Sequence, residues 1–299
     1  MLDLVFWSSV MAGGLIAGSS SGLLSVYLVG MRIPFLGVAM AHGALSGAVF
    51  GALGGLEGSW LLLPAFGGAM GIALFLGLAD ARTLRLDDNV VMSLLFSVTM
   101  GLAFLGMGLF EVIGRSDNDI RNLLWGNLGF CRWRDVGWML AAAVALALYL
   151  VAFGKEMRAV LFSREDAEAM GIRAKVVWAG FLVLSAFLLT VNFQTVGGLM
   201  IYSLITNPAI AASRLVKGTR KVTGLAVVFG GGSGLGGFLL AAWSNLPSGA
   251  VIVLLSSAMV GAAAIFGRWL SRRPAKAEET RDPADHSRGR KTSAAELRQ

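Results

Sequence analysis

The chain has 299 residues, of which 56% are hydrophobic and only 14% are charged, and its formal net charge is +7. An average soluble domain is about 25% charged, so this chain has too few charged residues to cover a water-facing surface. The composition excludes the soluble enzyme classes. The single cysteine, Cys131, also excludes an internal disulfide and a metal site built from several thiolates of one chain.

Long apolar runs without Asp, Glu, Lys or Arg follow one another along the chain. A helix of about 20 such residues crosses about 30 Å of hydrocarbon. The runs are continuous rather than alternating, which argues against a transmembrane β-barrel. The sequence therefore predicts an all-α, polytopic membrane helical bundle with about nine hydrophobic segments, at 5–29, 36–54, 59–79, 89–110, 136–153, 176–192, 196–212, 222–243 and 249–267.

The Lys and Arg residues are unevenly divided between the two sets of loops. If the nine segments alternate in direction, 21 of the 25 cations lie on the side of the C-terminus. Because cytoplasmic loops carry the excess of cations, we expect an N-terminus outside and a cytoplasmic C-terminus. Residues 1–270 are predicted to form the membrane domain, and 271–299 a basic, disordered cytoplasmic tail facing lipid. This topology explains the basic excess without a nucleic-acid partner.

None of the nine segments contains a charged residue. Ionisable residues inside a membrane mark proton relays and ion-coupled carriers, and one intramembrane histidine without acids provides no general acid/base pair. The sequence also has no Gly-Lys-Ser/Thr phosphate-binding motif. These absences argue against a proton-driven secondary transporter and against an ATPase site in this chain. The energy for any transport would therefore come from elsewhere.

Glycines recur at a spacing of four in the first segment, at Gly14, Gly18 and Gly22, and cluster again between Gly230 and Gly237. Small residues at this spacing let two helix backbones approach closely in lipid. The second cluster resembles a phosphate-binding loop, but it lies inside an apolar segment and follows no predicted strand. The pattern predicts tight helix packing.

The second segment contains the one histidine of the predicted spans, His42. At helical spacing Val38, His42 and Ser46 share one face. An imidazole is costly in hydrocarbon, so His42 should face a polar partner or a wet cavity. His42 and Ser46 are candidates for a translocation pathway, and a hydrogen bond from His42 to a neighbouring helix is the alternative. One imidazole does not form a zinc site, which takes three or four protein ligands.

The stretch 191–209 is unusually polar for a membrane segment, and its Pro208 removes a helix hydrogen bond. A broken backbone at bilayer depth is tolerated only where protein or water satisfies the freed groups. This favours a translocation pathway, with a re-entrant or kinked packing helix as the alternative. The candidate pathway residues of this stretch are Asn192, Gln194, Tyr202, Asn207 and Pro208.

Two predicted cytoplasmic segments have features of partner contacts, although either could be a solvated connector. The loop 162–172 predicts a short helix with Ser163 as its N-cap and Gly171 at its end. The segment 211–221 is a short basic turn, and its candidate contact residues are Arg214, Lys217, Gly218 and Arg220.

Four landmarks occur together in the order 35–47, 164–171, 196–212 with its Asn-Pro-Ala, and 245–250 with its Asn-Leu-Pro-Ser-Gly-Ala. In these residues the chain resembles the permease subunits of bacterial ABC importers for zinc, manganese and ferrous iron, distant relatives of the cobalamin and siderophore permeases. The resemblance extends over 5–270 and implies a fold like that of type II ABC importers. It also implies a homodimer in the bacterial inner membrane, two cytoplasmic ATP-binding subunits and an extracytoplasmic solute-binding protein. The helix that docks on the ATPase would fall in 211–223.

Two positions depart from this family's pattern. Val38 stands where the family usually has an Asp four residues before His42, and Asn245 stands where many members have an Asp. Without these carboxylates, less negative charge offsets a dehydrated cation.

The departures leave several interpretations open. In one, the ion keeps much of its hydration shell and uses neutral ligands, with His42 as the candidate metal ligand and Asn245 as a further pathway residue. In another, the substrate is a chelated metal or a small organic solute. A self-contained channel or secondary carrier is the alternative from another class. No permanently bound cofactor is expected, because the divalent metal ion would be cargo.

Overall fold

A computed structural model describes residues 4–78, 88–115, 129 and 131–271, and every regular element within them is helical. A 3-10 turn, Gly58–Leu61, precedes the third α-helix. This confirms the all-α prediction. The described α-helices are α1 Leu4–Gly30, α2 Pro34–Leu53, α3 Leu62–Leu78, α4 Asp88–Val112, α5 Trp133–Ala152, α6 Gly154–Phe162, α7 Arg164–Ala169, α8 Ala174–Val196, α9 Gly198–Leu204, α10 Asn207–Leu215, α11 Thr219–Ser244 and α12 Ser248–Ser271.

Eight helices of the described residues are long and apolar enough to cross a membrane. An unbroken helix suits the hydrocarbon region because it satisfies its backbone hydrogen bonds internally. These helices correspond to eight of the nine predicted segments. They are Trp7–Gly30, Pro34–Leu53, Gly58–Leu76, Val90–Val112, Trp133–Ala152, Ala174–Phe193, Thr219–Ser244 and Ser248–Trp269.

The segment predicted at 196–212 consists of two short helices, α9 and α10. Gly197 separates α8 from α9 with φ 91° and ψ 154°, a backbone conformation that glycine adopts without a Cβ clash. The second break follows α9 and ends at Asn207. Pro208 lies in the first turn of α10, where its missing amide proton removes no intrahelical bond. The predicted interruption at Asn207 and Pro208 is therefore a true helix boundary.

Helices α1 and α11 pack with their backbones in contact. A Cβ atom added to Gly230 would collide with the Gly18 carbonyl, and one added to Gly234 with the Gly14 carbonyl. Apolar burial contributes little to helix association in lipid, so such close approach supplies van der Waals contact instead. The glycine packing expected from the four-residue spacing is confirmed.

Helix α2 lies between α3, α4 and α8. Every residue from Leu36 to Ser46 is buried, so α2 is enclosed on all sides and not only on the face of Val38 and His42. By contrast, α4, α5 and α12 expose large apolar side chains along their length. Leu94, Leu148 and Leu254 are each more than half exposed, as expected for helices that face lipid.

Contacts divide the chain into a unit of residues 1–264 and a second unit of residues 265–299. In the described part of the second unit, residues 265–271, the rings of Phe266 and Trp269 lie 5.7 Å apart. The predicted boundary at residue 270 remains a prediction, and the tail residues 272–299 lie outside the described part.

Candidate translocation pathway

His42 lies in the middle of α2 and is only 5% exposed. Its ring is T-shaped to that of Phe96 on α4, with a centroid distance of 5.0 Å, and its centroid lies 6.4 Å from that of Phe193 on α8. Its Nδ1 atom has no hydrogen-bond partner among the described residues. The expected polar partner is therefore not seen at this atom. The imidazole lies against two phenylalanine rings, and its Nδ1 atom is buried without a hydrogen bond among the described residues.

Ser46 and Val38 lie one turn on either side of His42 and are buried, as the shared face predicts. The Val38 side chain therefore occupies a buried position close to the imidazole. A carboxylate there would lie next to His42, whereas a valine supplies neither charge nor a ligand atom.

Asn192 on α8 is completely buried and joins two helices. Its Nδ2 donates to the Ser20 hydroxyl at 3.1 Å and to the Ser21 hydroxyl at 3.2 Å, both on α1. Its Oδ1 has no partner among the described residues. A buried amide oxygen can accept two hydrogen bonds, so Asn192 presents unused acceptor capacity one residue before Phe193, which contacts His42.

Asn207 begins α10 and is hydrogen-bonded to the last helix, α12. Its Nδ2 donates to the Ser256 hydroxyl at 3.0 Å and to the Ser257 hydroxyl at 3.2 Å. The preceding Thr206 hydroxyl donates to the Tyr202 carbonyl at 2.7 Å. The polar side chains at this break are thus largely engaged with the protein rather than free to bind a solute.

The remaining predicted pathway residues are less enclosed. The Tyr202 side chain is 43% exposed, with its ring 6.2 Å from that of Phe35. Asn245 ends α11 in the left-handed conformation, with φ 52°, and it is exposed at the turn into α12. Gln194 lies in α8, and its side chain falls outside what the structure describes.

Sequence reasoning missed the serines that pair with these asparagines. Ser20 and Ser21 belong to a run of three serines inside the first span, and Ser256 and Ser257 form a pair inside the last. Such polar clusters in apolar segments are a usable signal, because a buried hydroxyl in lipid requires a partner. The signal does not say which residue the partner is.

The basic turn after α10 is exposed. Arg214 lies in the last turn of α10, where a cation interacts favourably with the helix dipole. Gly218 has φ 94° and ψ 131° and immediately precedes α11. Arg214, Lys217 and Arg220 are all exposed, and so is Lys221. The turn therefore presents four cations around a backbone conformation that favours glycine.

The short helix predicted in the 162–172 loop is present as α7. The Ser163 hydroxyl accepts a hydrogen bond of 3.2 Å from the Asp166 amide, and Gly171 has φ 80°. The N-cap and the terminating glycine are both confirmed.

No group of three or more His, Cys, Asp or Glu side chains suited to holding a metal ion occurs among the residues that the structure describes. His42 stands with aromatic neighbours, and the amides of buried Asn192 and partly buried Asn207 donate to serines. The buried atoms that His42 and Asn192 leave without a partner, Nδ1 and Oδ1, are both neutral.

The described helices form a bundle of candidate membrane spans with one broken segment and one exposed basic turn. The sequence pattern of the ABC 3 transport family matches residues 3–267. The chain belongs to this family. As an ABC 3 protein it is a multi-pass membrane protein of an ABC transporter.

Relatives within the family match over nearly the whole chain. The zinc transport system membrane protein TroC of Treponema pallidum is 28% identical over 287 residues, covering 91% of this chain and 95% of that protein. The manganese transport system membrane protein MntC of Listeria monocytogenes is 27% identical over 269 residues, covering 89% of this chain and 92% of that protein.

A solved structure, PsaBC from Streptococcus pneumoniae in complex with Fab, has the same fold. The TM-score is 0.76 at 19% sequence identity, and the match covers 89% of this chain and 94% of that chain. This ABC 3 protein therefore shares its fold with PsaBC over nearly its whole length, in agreement with the fold that the sequence resemblance implied.

Proposed function

We propose that this ABC 3 protein is the membrane-spanning subunit of an importer that carries a divalent metal ion, zinc, manganese or iron, into the cytoplasm. The family match over residues 3–267 carries the proposal. Relatives named for zinc and for manganese transport support the class of substrate. The subunit supplies the path for the ion and performs no covalent chemistry.

The energy comes from ATP hydrolysis in a separate subunit. No charged residue lies in the predicted spans, and the sequence has no phosphate-binding motif. The complex consists of two copies of this chain, two ATP-binding subunits and an extracytoplasmic binding protein that delivers the ion. The distribution of Lys and Arg supports an N-terminus outside the bacterial inner membrane and a C-terminus in the cytoplasm.

The ion path runs past α2 and the broken segment α9–α10. His42 Nδ1 and Asn192 Oδ1 are buried polar atoms without partners among the described residues. Both offer lone pairs to an ion that retains part of its hydration shell. Neither brings a negative charge, so the ion binds weakly and leaves readily, as transport requires.

The exposed turn with Arg214, Lys217 and Arg220 docks on the ATP-binding subunit. Exchanging Arg214 for Glu should weaken this association, because it reverses the charge of one of the four exposed cations of the turn. Arg134, an exposed arginine in the first turn of α5 on the predicted outer side, provides the matched control. Arg134→Glu should leave co-purification of the ATP-binding subunit unchanged, and equal losses in both variants would contradict the assignment.

Transport is tested by reconstituting the full chain with its ATP-binding subunit in vesicles. We expect ATP-dependent accumulation of at least one of Zn²⁺, Mn²⁺ and Fe²⁺, accompanied by metal-stimulated ATP hydrolysis. Omitting the ATP-binding subunit should abolish accumulation. Uphill uptake by the chain alone would instead identify a self-contained carrier.

A metal chelate is the second candidate substrate. It is favoured by Val38 and Asn245, which stand where the family pattern has carboxylates, and by the lack of a group of metal ligands among the described residues. A chelate arrives with its charge already balanced and needs no acidic ligand. Stimulation of ATP hydrolysis by a chelated metal but by none of the free ions would decide for it.

A further inference from the structure

An apolar cavity of about 360 Å³ opens between the beginning of α3, α5 and the second half of α8. Its volume falls in the range of about 300–1,000 Å³ that is typical of small-molecule sites. It is lined by Ser59, Trp60, Leu62, Leu63, Phe66, Trp138, Phe187, Thr190 and Val191. No charged side chain contributes to this lining.

The cavity has an exposed mouth and a buried back wall. Trp60 and Leu63 are 67% and 64% exposed, whereas Thr190 and Val191 are 1% and 3% exposed. The Phe187 ring forms edge contacts with Phe66 at 5.7 Å and with Trp138 at 6.5 Å. These aromatic contacts give the cavity rigid side walls.

The lining offers few polar groups to a solute. The buried Thr190 hydroxyl already donates to the Ala186 carbonyl within α8, at 2.7 Å, and Ser59 lies at the exposed mouth, in the 3-10 turn. An ion or a hydrated solute entering here would lose hydration without compensation. The cavity is therefore separate in chemistry from the proposed ion path.

The position of the cavity determines what surrounds its mouth. Trp60 and Trp138 both lie within one or two turns of the beginning of a span, and tryptophan is enriched at the level of the lipid headgroups. By the distribution of Lys and Arg, this end of the bundle faces outward. Because close-packed proteins contain few empty voids larger than a water molecule, we expect this cavity to be filled. The apolar groups that reach its mouth in a membrane are the acyl chains of lipids.

We infer that the cavity binds one acyl chain of a phospholipid from the outer leaflet. The chain enters between Trp60 and Leu63 and contacts Phe187 and Val191 on the inner wall. The headgroup stays at the level of the tryptophans. This inference rests on the membrane assignment and not on metal transport, so either can fail without the other.

The inference is tested with the full chain in vesicles of phosphatidylcholine that carries a photoactivatable diazirine on its acyl chain. After irradiation, mass spectrometry locates the cross-linked residues. We expect cross-links on 187–191 of α8 as well as on exposed side chains of α4 and α5. Thr190 and Val191 are almost inaccessible in the folded chain, so a bulk lipid reaches this wall only by entering the cavity.

Two variants separate a specific site from general lipid contact. Leu63→Trp narrows the mouth, and cross-links on 187–191 should be lost. Leu148→Trp changes a lipid-facing residue of α5 that is outside the cavity lining, and these cross-links should be retained. Cross-links confined to exposed residues of the wild-type chain would overturn the inference. Cross-links on 187–191 that persist in Leu63→Trp would overturn it as well. The inference would also fail if a second copy of the chain covered the mouth of the cavity.

Discussion

The Asn207 side-chain amide donates a 3.0 Å hydrogen bond to the hydroxyl of Ser256, 49 residues further along the chain. The bond joins the beginning of α10 to the middle of α12. Because α10 ends in the basic turn proposed to dock on the ATP-binding subunit, this bond connects the docking helix to the last membrane helix. If the turn docks as proposed, we expect movement of α10 to be transmitted to α12 through this bond.

Replacing Asn207 by Ala should weaken this connection. The change removes donors to both Ser256 and Ser257, and each interhelical hydrogen bond in a membrane protein contributes about 0.6 kcal/mol. We expect the free energy of unfolding of the purified chain, measured by thermal unfolding, to fall by about 1 kcal/mol. We also expect less metal to be transported per ATP hydrolysed. Ser257→Ala removes one of the two acceptors and is the graded control. Equal stability of wild type and Asn207→Ala would show that the bond does not join the helices.

The contact between α1 and α11 predicts different effects for two neighbouring glycines. Gly230→Ala drives a methyl group into the Gly18 carbonyl, whereas a Cβ at Gly232 meets no atom within 4 Å. Overpacking costs about 1–3 kcal/mol, so Gly230→Ala should lower the thermal unfolding temperature. Gly232→Ala, on the same helix, should leave it nearly unchanged. If the two variants are equally stable, the helices do not approach as closely as described.

The spans and the glycine contact could be predicted because they depend on local composition. The apolar runs and the spacing of Gly14, Gly18 and Gly22 are readable in the sequence itself, and so is the cap at Ser163. The helix boundary at Asn207 was also readable, since proline stands beside it. Gly197 carried less signal, because glycine is frequent in all of these spans.

The partners of the polar residues could not be predicted. Asn192 pairs with Ser20 across 172 positions, and nothing in one sequence selects this pair. The enclosure of α2 was not evident either, because lipid and protein both favour apolar side chains. An apolar run therefore does not distinguish a central helix such as α2 from a lipid-facing helix such as α4.

Asn192→Asp should be more destabilising than Asn192→Ala. Asp replaces the amide group that donates to Ser20 and Ser21 by a carboxylate that only accepts. At a position with no solvent exposure, an ionised carboxylate costs several kcal/mol. At neutral pH we expect Asn192→Asp to have a much lower unfolding temperature, or a much lower yield of folded protein, than Asn192→Ala measured under the same conditions. An Asp variant as stable as wild type would place this site in a water-filled cavity instead.

Cys131 should be unreactive in the folded chain. It lies just before α5, and burial, reinforced by the neighbouring Asp135 carboxylate, raises the pKa of its thiol from 9.0 to about 12. Because the thiolate is the nucleophile, alkylation by a maleimide should be slow from pH 7 to 9 and become rapid on unfolding. Rapid labelling of the folded chain at pH 7 would contradict the burial.

The same pKa shift has a consequence for stability. A thiol whose folded pKa is raised contributes stability below its unfolded pKa and loses this contribution as pH rises towards the folded pKa. For Cys131 the loss falls between about pH 9 and 12. Cys131→Ala removes the titrating group, so its unfolding temperature should fall less steeply over this range than that of wild type.

Substitutions of His42 test whether its imidazole takes part in transport. His42→Leu places an apolar side chain of similar size against Phe96 and Phe193 and removes both ring nitrogen atoms, the possible metal ligands. We expect metal uptake to fall while the unfolding temperature and the association with the ATP-binding subunit are retained. His42→Gln restores a neutral ligand and should recover part of the uptake. If His42→Leu transports metal as well as wild type does, the imidazole serves only to pack α2 against α4 and α8.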